Sequence, residues 1–231
     1  MNDIDVFVIA GGKCGSSTLK QTFTEIELNT IKSHNPTCFK NQFGYEGFYE
    51  TIIESSKNKK LILIDAYRPP IERKISSFFH NGERKIPNFL TMTTEEQIEL
   101  FNKDCLYRIE DRHIINEVYR ELNIPQTKTY DFKHCYLYQI YKNIIIIKLH
   151  YNDIDNWGNR LTEILKIPIK IVSDNVSSNK SYYDNYQTFL KEYTVPKHYI
   201  EDILVKDIEF KKYQTPEQQN SYIKMWLIKS V

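Results

Sequence analysis

Apolar residues gather along this chain in short runs of strand length: Val6–Ala10, Leu61–Ala66, Ile144–Leu149 and Ile167–Val172, with a shorter run at Thr30–Ser33. Between them the apolar spacing shifts to three and four residues over Ser17–Glu27, Gly47–Ser55, Ile71–Phe79, Thr94–Glu121 and Asn156–Leu165, which predicts helices. Nearly continuous apolar runs of this length read as strands covered on both faces. Their alternation with amphipathic helices predicts an α/β fold of three layers, a central parallel sheet of about four to five strands with helices on both sides. The segment 123–142 is ambiguous, and Cys135–Tyr141 reads as a strand or as part of a helix. Beyond residue 173 the chain reads as helical and rich in Tyr and Lys. Residues 1–231 are expected to form a single domain, with 174–231 a helical tail packed over the sheet edge or the site.

In a parallel sheet of this kind, ligands bind beyond the carboxyl ends of the strands. That singles out the residues after each run: the 11–18 loop, His34, Arg68 and His150. The first run enters Gly11-Gly12-Lys13-Cys14-Gly15-Ser16-Ser17-Thr18 and then a helix. Small residues permit a tight turn, and the amides at the helix start face outward at the positive end of its dipole. Lys13 adds a full charge, and three hydroxyls add donors. The loop fails as a Walker A motif, because Ser16 rather than lysine follows Gly15. Asp65 is followed by Ala-Tyr-Arg, which is a poor context for a magnesium-binding aspartate. It also fails as a tyrosine-phosphatase loop, since Lys20 stands where an arginine is needed. Cys14 reads as a small filler, with a thiol of lowered pKa as the alternative.

Composition narrows the class. The chain has 231 residues, 41% hydrophobic and 26% charged, with a net charge of +1. That balance gives no general reason to expect nucleic acid or an anionic surface as a partner. The four cysteines, 14, 38, 105 and 135, lie far apart without a CxxC pair, which argues against zinc or a disulfide framework and fits a reducing, cytoplasmic setting. The N-terminus has no basic leader, and no apolar stretch approaches the roughly 18 to 20 residues of a membrane span.

A second segment narrows the anion. After Leu61–Ala66 comes Tyr67-Arg68-Pro69-Pro70-Ile71-Glu72-Arg73-Lys74-Ile75-Ser76-Ser77-Phe78-Phe79. Proline suits a helix start, and Ile71, Ile75, Phe78 and Phe79 form one face, expected to pack on the sheet. Arg68 stands at the strand tip, and Ser76 lies two turns into the helix, a second anion-binding pair. With both segments in view, the chain resembles the sulfotransferases that use 3′-phosphoadenosine 5′-phosphosulfate (PAPS). Lys13-Cys14-Gly15-Ser16-Ser17 matches their K-x-G-[ST]-[ST] loop, which cradles the 5′-phosphosulfate. Arg68 to Phe78 matches their R-x-P-x-x-R-x-x-S-x-[FY] segment, whose first arginine and serine hold the 3′-phosphate. Asn175-Val176-Ser177-Ser178-Asn179-Lys180-Ser181-Tyr182 and Lys212-Tyr213-Gln214-Thr215-Pro216-Glu217 resemble the C-terminal pattern of a sulfotransferase-like family named for capsular polysaccharide synthesis. Lys148–Asp155 resembles the strand-then-acidic-turn segment of the wider fold.

The resemblance implies a P-loop-like domain that transfers a sulfonate from PAPS to an acceptor hydroxyl on a carbohydrate, releasing 3′-phosphoadenosine 5′-phosphate (PAP) without a metal. Lys13, Gly15, Ser16, Ser17, Thr18, Arg68 and Ser76 would bind the nucleotide, and Lys13 would also stabilise the leaving group. Sulfotransferases take their base near the end of the second strand. Here Ile31-Lys32-Ser33-His34-Asn35-Pro36 makes His34 the choice, although the pattern of some relatives would put Ser33 at that place. His150 could line the acceptor pocket, His80 reads as a helix-end residue, and His113 and Glu110-Asp111-Arg112 read as an exposed helical face. Asp153 and Asp155 read as caps for the helix carrying Trp157, and Lys180 as a lid or a surface lysine. Acceptor specificity is expected from 36–48, 80–105 and the tail. Two other readings stay open: a small-molecule kinase with an atypical P-loop, and a non-catalytic nucleotide-binding or scaffolding protein on the same fold.

Overall fold

The structure, a computed structural model, describes residues 3–108, 114–172 and 180–227. The chain divides into two compact units, one built from Met1–Arg68 and Asp111–Asn175, the other from Pro69–Glu110 and Val176–Val231. In chain order the helices are α1 (Ser16–Glu25), α2 (Pro36–Phe43), α3 (Phe48–Ser55), α4 (Pro70–Lys85), α5 (Thr94–Asp104), α6 (Ile114–Glu121), α7 (Trp157–Leu165), α8 (Tyr183–Glu192), α9 (Lys197–Asp202), α10 (Ile208–Tyr213) and α11 (Pro216–Leu227).

The first unit holds a five-stranded sheet in the order β2-β1-β3-β5-β4. Its strands are β1 (Val6–Val8), β2 (Thr30–Lys32), β3 (Leu61–Tyr67), β4 (Tyr136–Tyr141) and β5 (Ile144–His150). All neighbours are parallel except β4 and β5. Alternate positions serve opposite faces. Phe7, Leu63 and Ile146 form one core with Phe39, Phe48, Ile52 and Val118 from α2, α3 and α6. Val8, Ile64 and Ile147 form another with Leu19 and Phe23 of α1 and Trp157 and Leu161 of α7. The three-layer α/β expectation therefore describes this unit, with one antiparallel strand added.

That strand resolves the ambiguous segment. Tyr136–Tyr141 pairs with β5 through a two-residue turn in which Lys142 takes a left-handed φ of 52°. The run Ile167–Val172 is not a strand. Pro168 has no amide to give to a ladder, and the amides of Ile169 and Val172 are held instead by the Thr162 and Thr22 hydroxyls, at 2.9 and 3.0 Å. The helical stretch expected over Thr94–Glu121 is two helices, α5 and α6. Glu110, Asp111, Arg112, His113 and Asn175–Asn179 lie outside the described residues.

The second unit is helical and its core is aromatic. The Ile71, Ile75, Phe78 and Phe79 face of α4 is buried there with Phe101, Phe189 and Tyr193 rather than on the sheet. Phe78 packs edge-on to Phe101 at 5.4 Å, and Phe79 packs edge-on to Phe189 at 5.3 Å. The spacing identified the buried face but could not name what covers it. Tyr222 of α11 closes the start of α4: its hydroxyl accepts from the Ile71 amide at 3.1 Å and donates to the Glu72 carboxylate. Among the described residues no helix is long and apolar enough to cross a membrane.

Candidate active site

β1 has β2 on one side and β3 on the other, so the chain leaving β1 emerges where the strand order diverges. A crevice opens at such a point in α/β sheets. The loop there turns through two left-handed residues, Lys13 (φ 66°) and Gly15 (φ 80°). Gly15 is the N-cap of α1 and supplies no side-chain cap. The amides of Ser16, Ser17 and Thr18 have no acceptor inside the helix, and Leu19 is the first bonded, to the Gly15 carbonyl at 3.0 Å. Their N–H groups are thus available to an anion at the positive end of α1. Ser16 and Thr18 are buried and Ser17 is half-buried, so Ser17 is the hydroxyl best placed to serve a ligand.

Lys13 is not a glycine, and a left-handed conformation costs such a residue about 1–2 kcal/mol. Arg68 helps to hold it. Its Nη1 donates to the Lys13 carbonyl at 2.9 Å, and its guanidinium lies 4.3 Å above the centre of the Tyr151 ring. Arg68 is therefore already part of the loop's support, a role that the motif match did not reveal.

The tip of β2 contributes a second lysine. Lys32 Nζ donates to Ser17 Oγ at 3.0 Å. Burial, and then the charge of Lys20, push its pKa below the usual lysine range. Sequence reasoning passed over Lys32, although its place at the end of a strand and two residues before His34 was a usable signal. His34 Nδ1 lies 2.6 Å from the Ala10 carbonyl. A carbonyl only accepts, so Nδ1 carries the proton and Nε2 keeps its lone pair. Burial lowers the His34 pKa, the Ala10 bond opposes that, and Lys32 lowers it further. The ring is neutral at pH 7 and can take a proton at Nε2.

The turn after β5 backs the same loop. His150 is buried, and its Nδ1 accepts from the Asn152 amide at 3.2 Å. Burial pushes its pKa down to about 4. Trp157 donates from Nε1 to the His150 carbonyl at 2.9 Å. Asp153 does not cap the α7 backbone; it accepts from the Asn156 side chain at 2.6 Å and pairs with Arg160 at 3.3 Å. Asp65 sits inside β3 and pairs with Lys148 at 3.0 Å, both almost fully buried. Cys14 is buried, with Sγ 3.7 Å from the Gly12 carbonyl, as a filler would be. Ser76 lies on the buried side of α4 in the second unit, His80 is half-buried on the same helix, and Lys180 is half-buried at the start of the described tail. Within 36–48, expected to contribute acceptor specificity, residues 36–43 form α2, whose Asn35 cap accepts from the Cys38 amide at 2.8 Å.

Lys13, Ser17, Lys32, His34 and Arg68 thus meet around one loop at the tips of β1, β2 and β3, with three cations and a neutral imidazole. Such a set can bind an anion and accept a proton beside it. In comparison with known proteins, no family model matches the chain, and neither a curated protein nor a solved structure matches it.

Proposed function

We propose that the chain is a sulfotransferase on a P-loop-like fold, moving a sulfonate from PAPS to an acceptor hydroxyl. The observation that carries this reading is the grouping of Lys13, Lys32, Arg68 and His34 around the helix start of α1, with His34 held in the tautomer of a base. The resemblance of the 13–17 and 68–78 segments selects the nucleotide; that of the tail alone points to a carbohydrate acceptor.

These residues fit a doubly phosphorylated nucleotide in charge and donor set. The loop amides, Lys13 and Ser17 would hold the 5′-phosphosulfate. A guanidinium has five N–H donors; one reaches Lys13, and the others suffice for a 3′-phosphate. PAPS, when bound, supplies the sulfonate: the S–O bond to its phosphate breaks as one to the acceptor oxygen forms. His34 Nε2 takes the acceptor proton. Lys13 and the loop amides would stabilise the oxygen of the leaving phosphate, where negative charge develops, and Lys32 would add a cation beside Ser17. PAP is the product.

The kinase reading is weakened by Asp65. The carboxylate that a kinase would need for magnesium is buried within β3 against Lys148 and accepts from the Ala66 amide at 2.7 Å. A thermal-shift series with PAP, adenosine 5′-phosphosulfate and ATP with magnesium tests the proposal, because a ligand of the native state raises Tm by mass action. The largest rise is expected with PAP. A larger rise with ATP and magnesium favours the kinase, and no rise with any of them favours a scaffold.

A further inference from the structure

We infer that Trp157 is a positioning residue for the anion-binding loop, acting through Gly15; this rests on the anion-site reading above. The indole is fully buried and pinned through Nε1 to the His150 carbonyl, at the last position of β5. A Cβ added to Gly15 would stand 2.8 Å from Trp157 Cη2, 3.0 Å from Cζ3 and 3.6 Å from Tyr151 Cε2. The ring therefore occupies the space that a side chain at the N-cap would take. Its anchor is in the sheet, so it forms a fixed stop against which the start of α1 rests. Tyr151, beside it, carries the Arg68 guanidinium, whose Nη1 holds the Lys13 carbonyl. The loop is thus gripped at Lys13 and blocked at Gly15, the two residues with left-handed backbone. Those two dihedral pairs set where the first amides of α1 point, and a misplacement of about 1 Å costs as much as a hundredfold in a preorganised site. Pure core packing would give Trp157 no such influence.

The chain has two tryptophans, so a Trp226→Phe background leaves Trp157 as the sole reporter. Titration of that protein with inorganic pyrophosphate is expected to give a saturable change in Trp157 emission. By calorimetry, Trp157→Phe is expected to weaken pyrophosphate and PAP about tenfold or more. Leu161→Ala, a buried truncation one turn along α7, is expected to lower Tm without weakening either ligand. Gly15→Ala is expected to abolish binding, and Gly15→Ala/Trp157→Phe to recover part of it, since phenylalanine lacks the Cη2 and Cζ3 atoms. Wild-type affinity in folded Trp157→Phe, or an equal loss in Leu161→Ala, overturns the inference. Should Trp157→Phe not fold, an emission that stays unchanged at saturating pyrophosphate overturns it. A protein that binds pyrophosphate without preferring PAP to AMP sinks the sulfotransferase reading and leaves this one standing; one that binds neither sinks both.

Discussion

At the smallest scale His34 is the base in the proposed reaction, and its hydrogen bond matters as much as its place. The Ala10 carbonyl fixes the proton on Nδ1, so the nitrogen left to accept is Nε2. His34→Gln is expected to lower sulfonate transfer by about 10²–10⁴, with PAP affinity unchanged in calorimetry. Its lowered pKa moves the acid limb of kcat/KM below the ordinary imidazole value of 6.5. His150 has a structural pH signature of its own. Buried, it titrates near 4, while the unfolded chain titrates near 6.5. Between those values the unfolded state binds more protons, so stability present at neutral pH is lost as pH falls. His150→Asn is expected to remove that slope, worth on the order of 2–3 kcal/mol, in urea unfolding followed from pH 7 to 4. Arg68→Ala is expected to weaken PAP more than AMP. Some loss for both follows from releasing the Lys13 carbonyl, but equal loss would remove Arg68 from the 3′-phosphate.

Between elements, the β3–β5 pair holds the sheet's most consequential polar contact. Lys148→Met alone leaves the Asp65 carboxylate buried without its cation and is expected to cost about 3–5 kcal/mol, read by chemical denaturation. Asp65→Leu/Lys148→Met removes both charges and is expected to recover most of that loss. The apolar runs made β1, β3 and β5 legible because strands buried on both faces are nearly continuous in apolar residues, with Asp65 and Lys148 as a mutually paired exception. Ile167–Val172 had the same composition, and Pro168 was the sign against it. β4 was not legible because its Leu137, Ile140 and Tyr141 also fit the i, i+3, i+4 spacing of a helix face. At the site, Lys13, Gly15 and His34 could be read from position after a strand. Lys32 carried the same positional signal and was passed over; Tyr151 and Trp157 could not be read, since their roles depend on contacts with Arg68 and Gly15 that only folding creates. Trp157 looked like one more apolar residue on an amphipathic helix.

Across the whole molecule, the division into two units is what sequence order hides most. The second unit takes its helices from Pro69–Glu110 and Val176–Val231, stretches separated in sequence by a segment that holds α6, β4, β5 and α7. Periodicity marks a face as buried and says nothing of a partner a hundred residues away, so the tail read as an appendage. Net charge is +1, so anion affinity must come from local placement of cations rather than from the field of the whole chain. The central claim is that the strand tips recognise an adenosine carrying phosphate at both the 3′ and 5′ positions. Calorimetric titration of the wild-type protein with PAP and with AMP, which differ only in the 3′-phosphate, tests it most directly. The account predicts that PAP binds about tenfold or more tighter, the worth of one charge-assisted contact. Equal affinities for the two nucleotides would contradict it.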